Sequence, residues 1–220
     1  MLPQQRAARG AAYESARPEI LALVPPGARR VLDLGCATGA LGAALDAEVT
    51  GVEVQPEYAA EAETRLDRVI RADVEALARA QDLEARLGRF DVLVAADVLE
   101  HLVDPWSALR AYAALLEPGG TAVVSLPNVN HWTAYAALAR GTWPRRAEGI
   151  FDATHLRWFT LRDARALLAH AGLRPTTIVS RPWVLWRGTR LDRHAAPLLR
   201  VPGLRALLTY QHVIAAVLCE

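Results

Sequence analysis

Short apolar runs that alternate with helix-like segments are the feature that most constrains how this chain can fold. Such runs are typical of strands buried on both faces, and they occur at 30–34, 49–54, 69–72, 90–95 and 121–126. This alternation predicts an α/β fold with a doubly wound, mostly parallel sheet and helices on both faces. The loops that follow these strands should therefore share one edge of the sheet, where such folds bind their ligands.

The segments between the runs predict helices over 40–46, from Pro56 to 66, over 74–87, and from Pro105 to 117 with Asp104 as the cap. The rhythm then breaks over 127–159, which is aromatic and irregular. Thr160 and Asp163 have the spacing of a capping box, so a further helix should begin there and end near Gly172. Two more strands are expected, at 175–180 and 213–219.

The length and composition suit one domain over residues 1–220, since 220 residues that are 52% hydrophobic can bury a substantial core. No apolar run reaches the length of a membrane helix and no secretory signal is visible, so we expect no transmembrane segment and a cytoplasmic location. The two cysteines do not suggest a disulfide framework. All 25 basic residues are arginines, which excludes lysine-based catalysis.

The charges are unevenly distributed along the chain. Residues 1–128 carry 12 arginines against 19 acidic residues, a net charge of −7, whereas residues 129–220 carry 13 against 5, a net charge of +8. The excess of arginine in the second half mildly favours an anionic ligand there, for which Arg145, Arg146 and Arg157 are candidates, although most of the 13 should be solvated surface.

A glycine-containing loop follows the first strand. Gly35 and Gly39 permit a tight turn and a close approach of the backbone to a ligand. The dinucleotide fingerprint G-x-G-x-x-G fails at Ala37 and Ala40, which disfavours a nicotinamide-dependent oxidoreductase. The absence of lysine excludes a phosphate-binding P-loop.

Three acidic residues lie at the carboxyl ends of the first three predicted strands. Asp33 suits a cationic group such as an amino-acid ammonium, and Glu53 can accept hydrogen bonds from two ribose hydroxyls. Asp73 can accept from an adenine amino group while the backbone N–H of Val74 donates to a ring nitrogen. Each acid alone would be read as a solvated strand end or a helix cap, but three on one edge favour a ligand that carries all three groups.

The run VLDLGCATG at 31–39, together with Glu53, Asp73 and the later LLEPGG, resembles the class I S-adenosylmethionine-dependent methyltransferases. The resemblance implies a seven-stranded Rossmann-like sheet whose last strand is antiparallel, a cofactor-binding half over about 1–128, acceptor-site or lid elements over about 129–210, and a final strand over 211–220. It implies S-adenosylmethionine as cofactor and S-adenosylhomocysteine as product, held by Tyr13, Asp33, Gly35, Cys36, Ala37, Gly39, Glu53, Val54, Asp73, Val74, Asp97 and Val98. Ala37 stands where the family usually has glycine, so a slightly displaced cofactor is expected.

Two further stretches resemble particular branches of that family. ADVLEHLVDP at 96–105 is similar to the ubiquinone-biosynthesis branch, and SLPNVNHW at 125–132 resembles methyltransferase-like proteins of methionine biosynthesis. The first implies methyl transfer to an oxygen or nitrogen of a small molecule, such as a sugar, a secondary metabolite or a lipid-linked precursor. The second leaves open a regulatory role, in which the chain binds cofactor and partners an acyltransferase.

Methyl transfer to a protonated acceptor requires a base, and histidine suits that role. We expect His155 to be the base, oriented by Asp152, with His101 and His131 as alternatives; the competing interpretation for each is a hydrogen bond that orders a loop. We expect the acceptor to contact Asn128, His131, Trp132 and Arg157. No metal is expected, because the spacing of Glu100, His101 and Asp104 matches no zinc set.

Residues 181–209 combine tryptophan, leucine and arginine. They are expected to form a lid or a homodimer contact, or to touch a membrane surface, although three prolines there interrupt any long helix. Nucleic acid is not an expected partner, since the isoelectric point is near neutral and no RNA-binding module is visible.

Overall fold

The computed structural model describes residues 16–183 and 200–219. The cofactor-binding role expected of Tyr13, and the part of the expected lid over 184–199, therefore lie outside the described residues.

The described residues form a seven-stranded sheet, whose strands are β1 Arg30–Leu34, β2 Glu48–Glu53, β3 Arg68–Arg71, β4 Phe90–Ala96, β5 Leu116–Pro127, β6 Leu173–Pro182 and β7 Thr209–Leu218. Their order in the sheet is β3-β2-β1-β4-β5-β7-β6. β7 pairs antiparallel with both β5 and β6, and the pairings among β1 to β5 are parallel. The predicted doubly wound sheet with an antiparallel last strand is confirmed.

Eight helices lie in the described ranges, and several begin where local chemistry requires. The helices are α1 Pro18–Leu21, α2 Pro56–Ala62, α3 Val74–Ala78, α4 Leu83–Leu87, α5 Pro105–Ala113, α6 Trp132–Ala139, α7 Leu161–His170 and α8 Pro202–Leu208. The Asp104 carboxylate accepts from the Ser107 N–H at the start of α5. Thr160 and Asp163 form the predicted capping box at the start of α7. None of these helices is long and apolar enough to cross a membrane.

Some predicted helices are wrong in extent. The segment 40–46 contains only the 3-10 turn Gly42–Ala44, because Gly42 inside it and Gly39 just before it weaken a helix, and β2 begins at Glu48. The apolar spacing over 74–87 belongs to α3 and α4, which are separated by a turn that contains Asp82, a residue that favours helix starts over helix interiors.

Two further differences come from tertiary pairing. The helix α5 ends at Ala113 rather than at 117, because Leu116 already pairs with Phe90 of β4. The region 127–159, expected to be irregular, contains α6, whose first turn is capped by the ring of His131.

The sheet separates two apolar layers. Leu32, Leu34 and Leu93 pack on one face, while Val31 and Val92 pack on the other, as the alternation of side chains along a strand requires. Both faces of β1 are therefore buried, which explains why its sequence is apolar on consecutive residues rather than on alternate ones.

His212 of β7 is buried, and its Nδ1 lies 3.2 Å from the hydroxyl of Ser180 in the neighbouring strand β6. Burial, followed by the charges of Arg205 and Arg165, lowers the pKa of His212 to about 4. The unfolded chain therefore binds more protons than the folded chain between about pH 6.5 and 4. This residue should make the protein lose stability as the pH falls through that window.

We predict that wild-type protein loses more unfolding free energy between pH 7.5 and pH 5 than a His212→Gln variant, by roughly 1–2 kcal/mol. Urea unfolding of both proteins at the two pH values measures the difference. An equal loss in both proteins would show that His212 does not contribute to the acid sensitivity.

Candidate active site

A cavity of about 980 Å³ lies at the carboxyl ends of the parallel strands. One wall comes from the ends of β1 and β2 and the start of α3. The opposite wall comes from the loop after β4, from residues 147–155, from the end of β6 and from the start of β7. The strand-end loops thus share one edge of the sheet, as predicted, and this edge lines the cavity. Of the predicted site residues, the following line it: Asp33, Gly35, Cys36, Ala37, Glu53, Val54, Asp73, Val74, Asp97, Val98, His101, Asp152 and His155.

The loop after β1 is held against β2 by backbone hydrogen bonds and by one carboxylate. Gly35 and Ala37 both adopt positive φ, +67° and +48°, and a Cβ on Gly35 would approach Val98 to 3.0 Å. The Ala37 N–H donates to Glu53 Oε2 at 3.0 Å, and the Gln55 N–H donates to Oε1 at 2.7 Å. The loop thus turns its backbone toward the cavity, and Glu53 keeps acceptor capacity for a ligand hydroxyl because each carboxylate oxygen has two lone pairs.

Two more acids lie on the same wall in contrasting environments. Asp33 is 2% exposed, and burial together with the negative charge of Glu53 raises its pKa to about 7. Asp73 instead caps α3, where its Oδ1 accepts from the Ala76 N–H at 2.7 Å while the residue also lines the cavity. The capping and ligand-binding interpretations of Asp73 are therefore compatible.

Asp97 is the centre of a polar network that sequence reasoning missed. Its Oδ2 accepts from Arg17 at 2.6 Å, and its Oδ1 accepts from Ser125 at 2.8 Å and from Gln211 at 2.6 Å. Arg17 and Gln211 lie in distant parts of the chain and carry no motif, so only the tertiary structure brings them to the cavity. The same holds for Arg181, Trp183 and Tyr210, which line the cavity beside them.

Glu100, His101 and His155 form a compact cluster on the opposite wall. Glu100 is 1% exposed, and within the described ranges neither of its carboxylate oxygens has a hydrogen-bond partner. Its Oε1 lies 3.9 Å from His155 Nε2, and the rings of His101 and His155 meet edge to face with centroids 4.7 Å apart.

Burial favours the uncharged forms of two members of this cluster, Glu100 and His155. Burial, assisted by Asp97, raises the pKa of Glu100 well above its usual range. Burial and His101 lower the pKa of His155 to about 4, and Asp152 opposes this shift only in part. The charge of Asp152 thus favours the protonated imidazole, but desolvation outweighs it.

Backbone hydrogen bonds fix the segment that carries His155. The N–H groups of Leu156 and Arg157 donate to the Glu100 carbonyl at 2.9 and 3.0 Å. Asp152 Oδ1 accepts from the Thr154 N–H and hydroxyl, and Thr154 in turn contacts His101 Nδ1. The turn expected between Asp152 and His155 forms, with the His155 N–H donating to the Asp152 carbonyl at 3.1 Å.

Three residues expected at the acceptor site lie outside the cavity and have structural contacts. His131 caps α6, and its ring nitrogens contact the Thr133 hydroxyl at 2.8 Å and the Trp183 carbonyl at 2.6 Å. The amide of Asn128 donates to the carbonyls of Ala206 and Thr209, which joins the end of β5 to α8. This placement disagrees with the acceptor contacts expected of both residues and with the base role expected of His131, because their polar side-chain atoms already have hydrogen-bond partners. The third residue, Trp132, follows His131 in α6 and packs against its ring.

The guanidinium of Arg157 also points away from the cavity. It donates to the Val103 carbonyl and stacks over the ring of Trp106 at 5.9 Å. Arg145 likewise donates to the Ala153 carbonyl, and Arg146 lies over Phe151. Gly39 lies behind the loop, where a Cβ would meet Leu66 and Ala62 rather than a ligand.

Comparison with known proteins identifies the family to which the chain belongs. The methyltransferase domain family matches residues 6–178. The ubiquinone biosynthesis O-methyltransferase of Xanthomonas axonopodis pv. citri (strain 306) is 37% identical over 182 residues, which cover 80% of this chain and 72% of the relative. The protein of the same name from Xanthomonas campestris pv. campestris (strain B100) is 40% identical over 119 residues, and the match spans 48% of that relative, about half of its length.

A solved structure supports the fold. Magnesium protoporphyrin IX methyltransferase from Synechocystis PCC 6803, with bound S-adenosylhomocysteine, aligns with a TM-score of 0.62 at 17% identity and covers 99% of this chain and 88% of its own. The chain belongs to the class I S-adenosylmethionine-dependent methyltransferases.

We predict that Asp33→Asn stabilises the protein but weakens cofactor binding. Because the pKa of Asp33 rises from 3.8 in the unfolded chain to about 7 in the folded one, the protein loses stability as the pH rises through that window, and the loss is complete above it. Removing the charge should therefore raise the unfolding free energy by roughly 2–4 kcal/mol at pH 8 and by little at pH 4. Calorimetric titration with S-adenosylhomocysteine should show at least about tenfold weaker binding, since an ammonium loses its carboxylate partner. Unchanged affinity would place the ammonium elsewhere.

We predict that Ala37→Gly raises the unfolding free energy by up to about 1 kcal/mol. A left-handed φ costs alanine about 1–2 kcal/mol, and the added freedom of glycine in the unfolded chain offsets part of that gain. Urea unfolding measures the change, with an Ala→Gly substitution at the exposed Ala60 of α2 as the destabilising control. A loss of stability at position 37 would show that this alanine is not strained.

Proposed function

We propose that the protein transfers the methyl group of S-adenosylmethionine to an oxygen of a small-molecule acceptor. The observation that carries the proposal is the single cavity that joins the three strand-end acids to the Glu100–His101–His155 cluster. One wall has the groups that suit the cofactor and the other has the groups that suit proton removal. The cavity volume lies at the upper end of the usual range for small-molecule sites, which leaves room for a second ligand.

On the cofactor wall, Asp33 would face the ammonium, Glu53 the ribose hydroxyls, and Asp73 with the Val74 N–H the adenine. The Arg17–Asp97–Gln211 network would hold the edge of the site between the two walls. Because Glu53 also fixes the Ala37 N–H, loss of this carboxylate would disturb both the ligand contact and the loop.

The transfer is an in-line displacement. The acceptor oxygen forms a bond to the methyl carbon as the carbon–sulfur bond breaks, and the electron pair of that bond converts the sulfonium to a neutral thioether. The acceptor proton passes to the neutral imidazole of His155. Holding acceptor, methyl and sulfur in line in a water-poor cavity supplies much of the rate enhancement.

The acceptor is best described as a small aromatic or otherwise flat molecule with a hydroxyl group. Trp183 and Tyr210 line the cavity with ring centroids 4.3 Å apart, which suits a flat apolar ligand. The names of the relatives, ubiquinone biosynthesis O-methyltransferase, favour oxygen over nitrogen. An anionic group on the acceptor would meet Arg181 rather than Arg157, in competition with Glu19 at 2.6 Å.

The proposal is tested by calorimetric binding of S-adenosylhomocysteine and by transfer of labelled methyl to panels of phenols and amines. We expect binding at one site and transfer to hydroxyl acceptors. Binding without turnover of any acceptor, together with recovery of an acyltransferase from a pull-down, would favour the regulatory alternative. The absence of binding would overturn the proposal.

We predict that His155→Ala lowers kcat by about 100-fold or more, in line with the usual contribution of a general base, while the affinity for S-adenosylhomocysteine stays within about twofold. His170→Ala, at an exposed histidine at the end of α7, is the matched control and should leave both unchanged. Undiminished turnover of the His155 variant would show that this imidazole takes no part in the reaction.

A further inference from the structure

We propose that Glu100, His101 and His155 bind a divalent transition-metal ion, Zn²⁺ or Mn²⁺, on the acceptor wall of the cavity. This inference rests on the proposed function for what the ion does, but not for whether it binds.

The three side chains converge from two parts of the chain. Each offers one ligand atom, and these atoms all lie within 4.8 Å of one another. Two ligands at about 2.1 Å from a common ion stand no more than about 4.2 Å apart, so side-chain shifts of less than about 1 Å would close the site. One carboxylate and two imidazoles form a ligand set used by catalytic zinc and by other divalent transition metals.

Glu100 is the observation that points to a ligand. A carboxylate that is 99% buried normally has hydrogen bonds to both oxygens, because an unpartnered polar group in the interior costs free energy. Neither oxygen of Glu100 has such a partner among the described residues. A cation between Glu100 and the two imidazoles would supply the missing partner.

The imidazole of His101 is held as metal-binding histidines usually are. His101 Nδ1 lies 3.2 Å from the Thr154 carbonyl. A backbone carbonyl can only accept, so Nδ1 carries the proton in that pairing and the lone pair of the ring is on Nε2. In His155, Nε2 faces Glu100, which is the direction that a shared ion requires.

Three protein ligands would leave coordination positions open toward the cavity, which all three residues line. Catalytic rather than structural metal sites have such open positions. An acceptor hydroxyl bound there would lose its proton more easily, since a bound cation lowers the pKa of an attached oxygen. With the ion bound, His155 would be a metal ligand instead of the base proposed above, and the proton of the acceptor hydroxyl would pass to solvent water.

Sequence reasoning could not find this set. In the sequence, the residue that stands near Glu100 and His101 as a further candidate ligand is Asp104, but its carboxylate caps α5. The third ligand, His155, lies 54 positions beyond His101, and it comes close through tertiary contacts such as the hydrogen bonds of residues 156 and 157 to the Glu100 carbonyl.

The test uses tag-free full-length protein that is stripped with a chelator and then dialysed against Zn²⁺, Mn²⁺ or the spectroscopic probe Co²⁺. We expect about one equivalent of metal per chain and a Co²⁺ absorption spectrum typical of mixed nitrogen and oxygen ligands. The Glu100→Gln variant should bind at least about 100-fold more weakly, since loss of outer contacts alone costs metal sites 10- to 100-fold. His170→Gln is the matched control and should bind as wild type does.

Thermal unfolding of each stripped protein shows that the variants fold, and the metal-induced rise in Tm should vanish in Glu100→Gln. Equal metal binding by wild type and Glu100→Gln, or less than about 0.2 equivalents in wild type, would overturn the metal proposal. Titration of S-adenosylhomocysteine into the same samples separates the two proposals. If the protein binds S-adenosylhomocysteine but no metal, only the metal proposal is wrong. If it binds metal but no S-adenosylhomocysteine, only the proposed transferase function is wrong.

Discussion

The parallel pairing of β1 with β2 on one side and β4 on the other is the constraint on which the rest of the structure depends. Parallel strands place all their carboxyl ends at one edge of the sheet. The loops that follow these strands are therefore neighbours at that edge, and this proximity does not depend on contacts between the loops. Asp33, Glu53 and Asp97 come together for this reason. The antiparallel insertion of β7 then brings Tyr210 and Gln211, near its start, to the same edge.

Two buried carboxylates mark the two functional walls, and both cost stability. Asp33 and Glu100 each have a raised pKa because burial disfavours the charged form, and the positive charge of Arg17 opposes that rise only in part. Proteins keep such groups where a ligand compensates them, and stability is commonly sacrificed at binding sites. The cofactor ammonium is the compensating group proposed for Asp33, and a metal ion is the one proposed for Glu100.

The cofactor wall was predictable because its residues are local to strand ends. Asp33, Glu53 and Asp73 each follow an apolar run that sequence alone identifies as a strand, and the glycine loop lies between the first two. The acceptor wall was less predictable because its contacts join distant segments. His131, Asn128 and Arg157 have the residue types of a binding site, yet their polar groups bind backbone carbonyls elsewhere.

By itself, the sequence determined the strand positions, the capped starts of α5 and α7, and the acids at the cofactor edge. These depend on local periodicity and on contacts within a few residues. The tertiary structure decided which histidines face the cavity, because His101, His131 and His155 lie in three separate loops whose orientation no local pattern sets. The tertiary structure also decided that Glu100 is buried. A carboxylate that follows a strand end can lie in solvent or in the interior, and here the backbone of Leu156 and Arg157 binds the Glu100 carbonyl and packs against this residue.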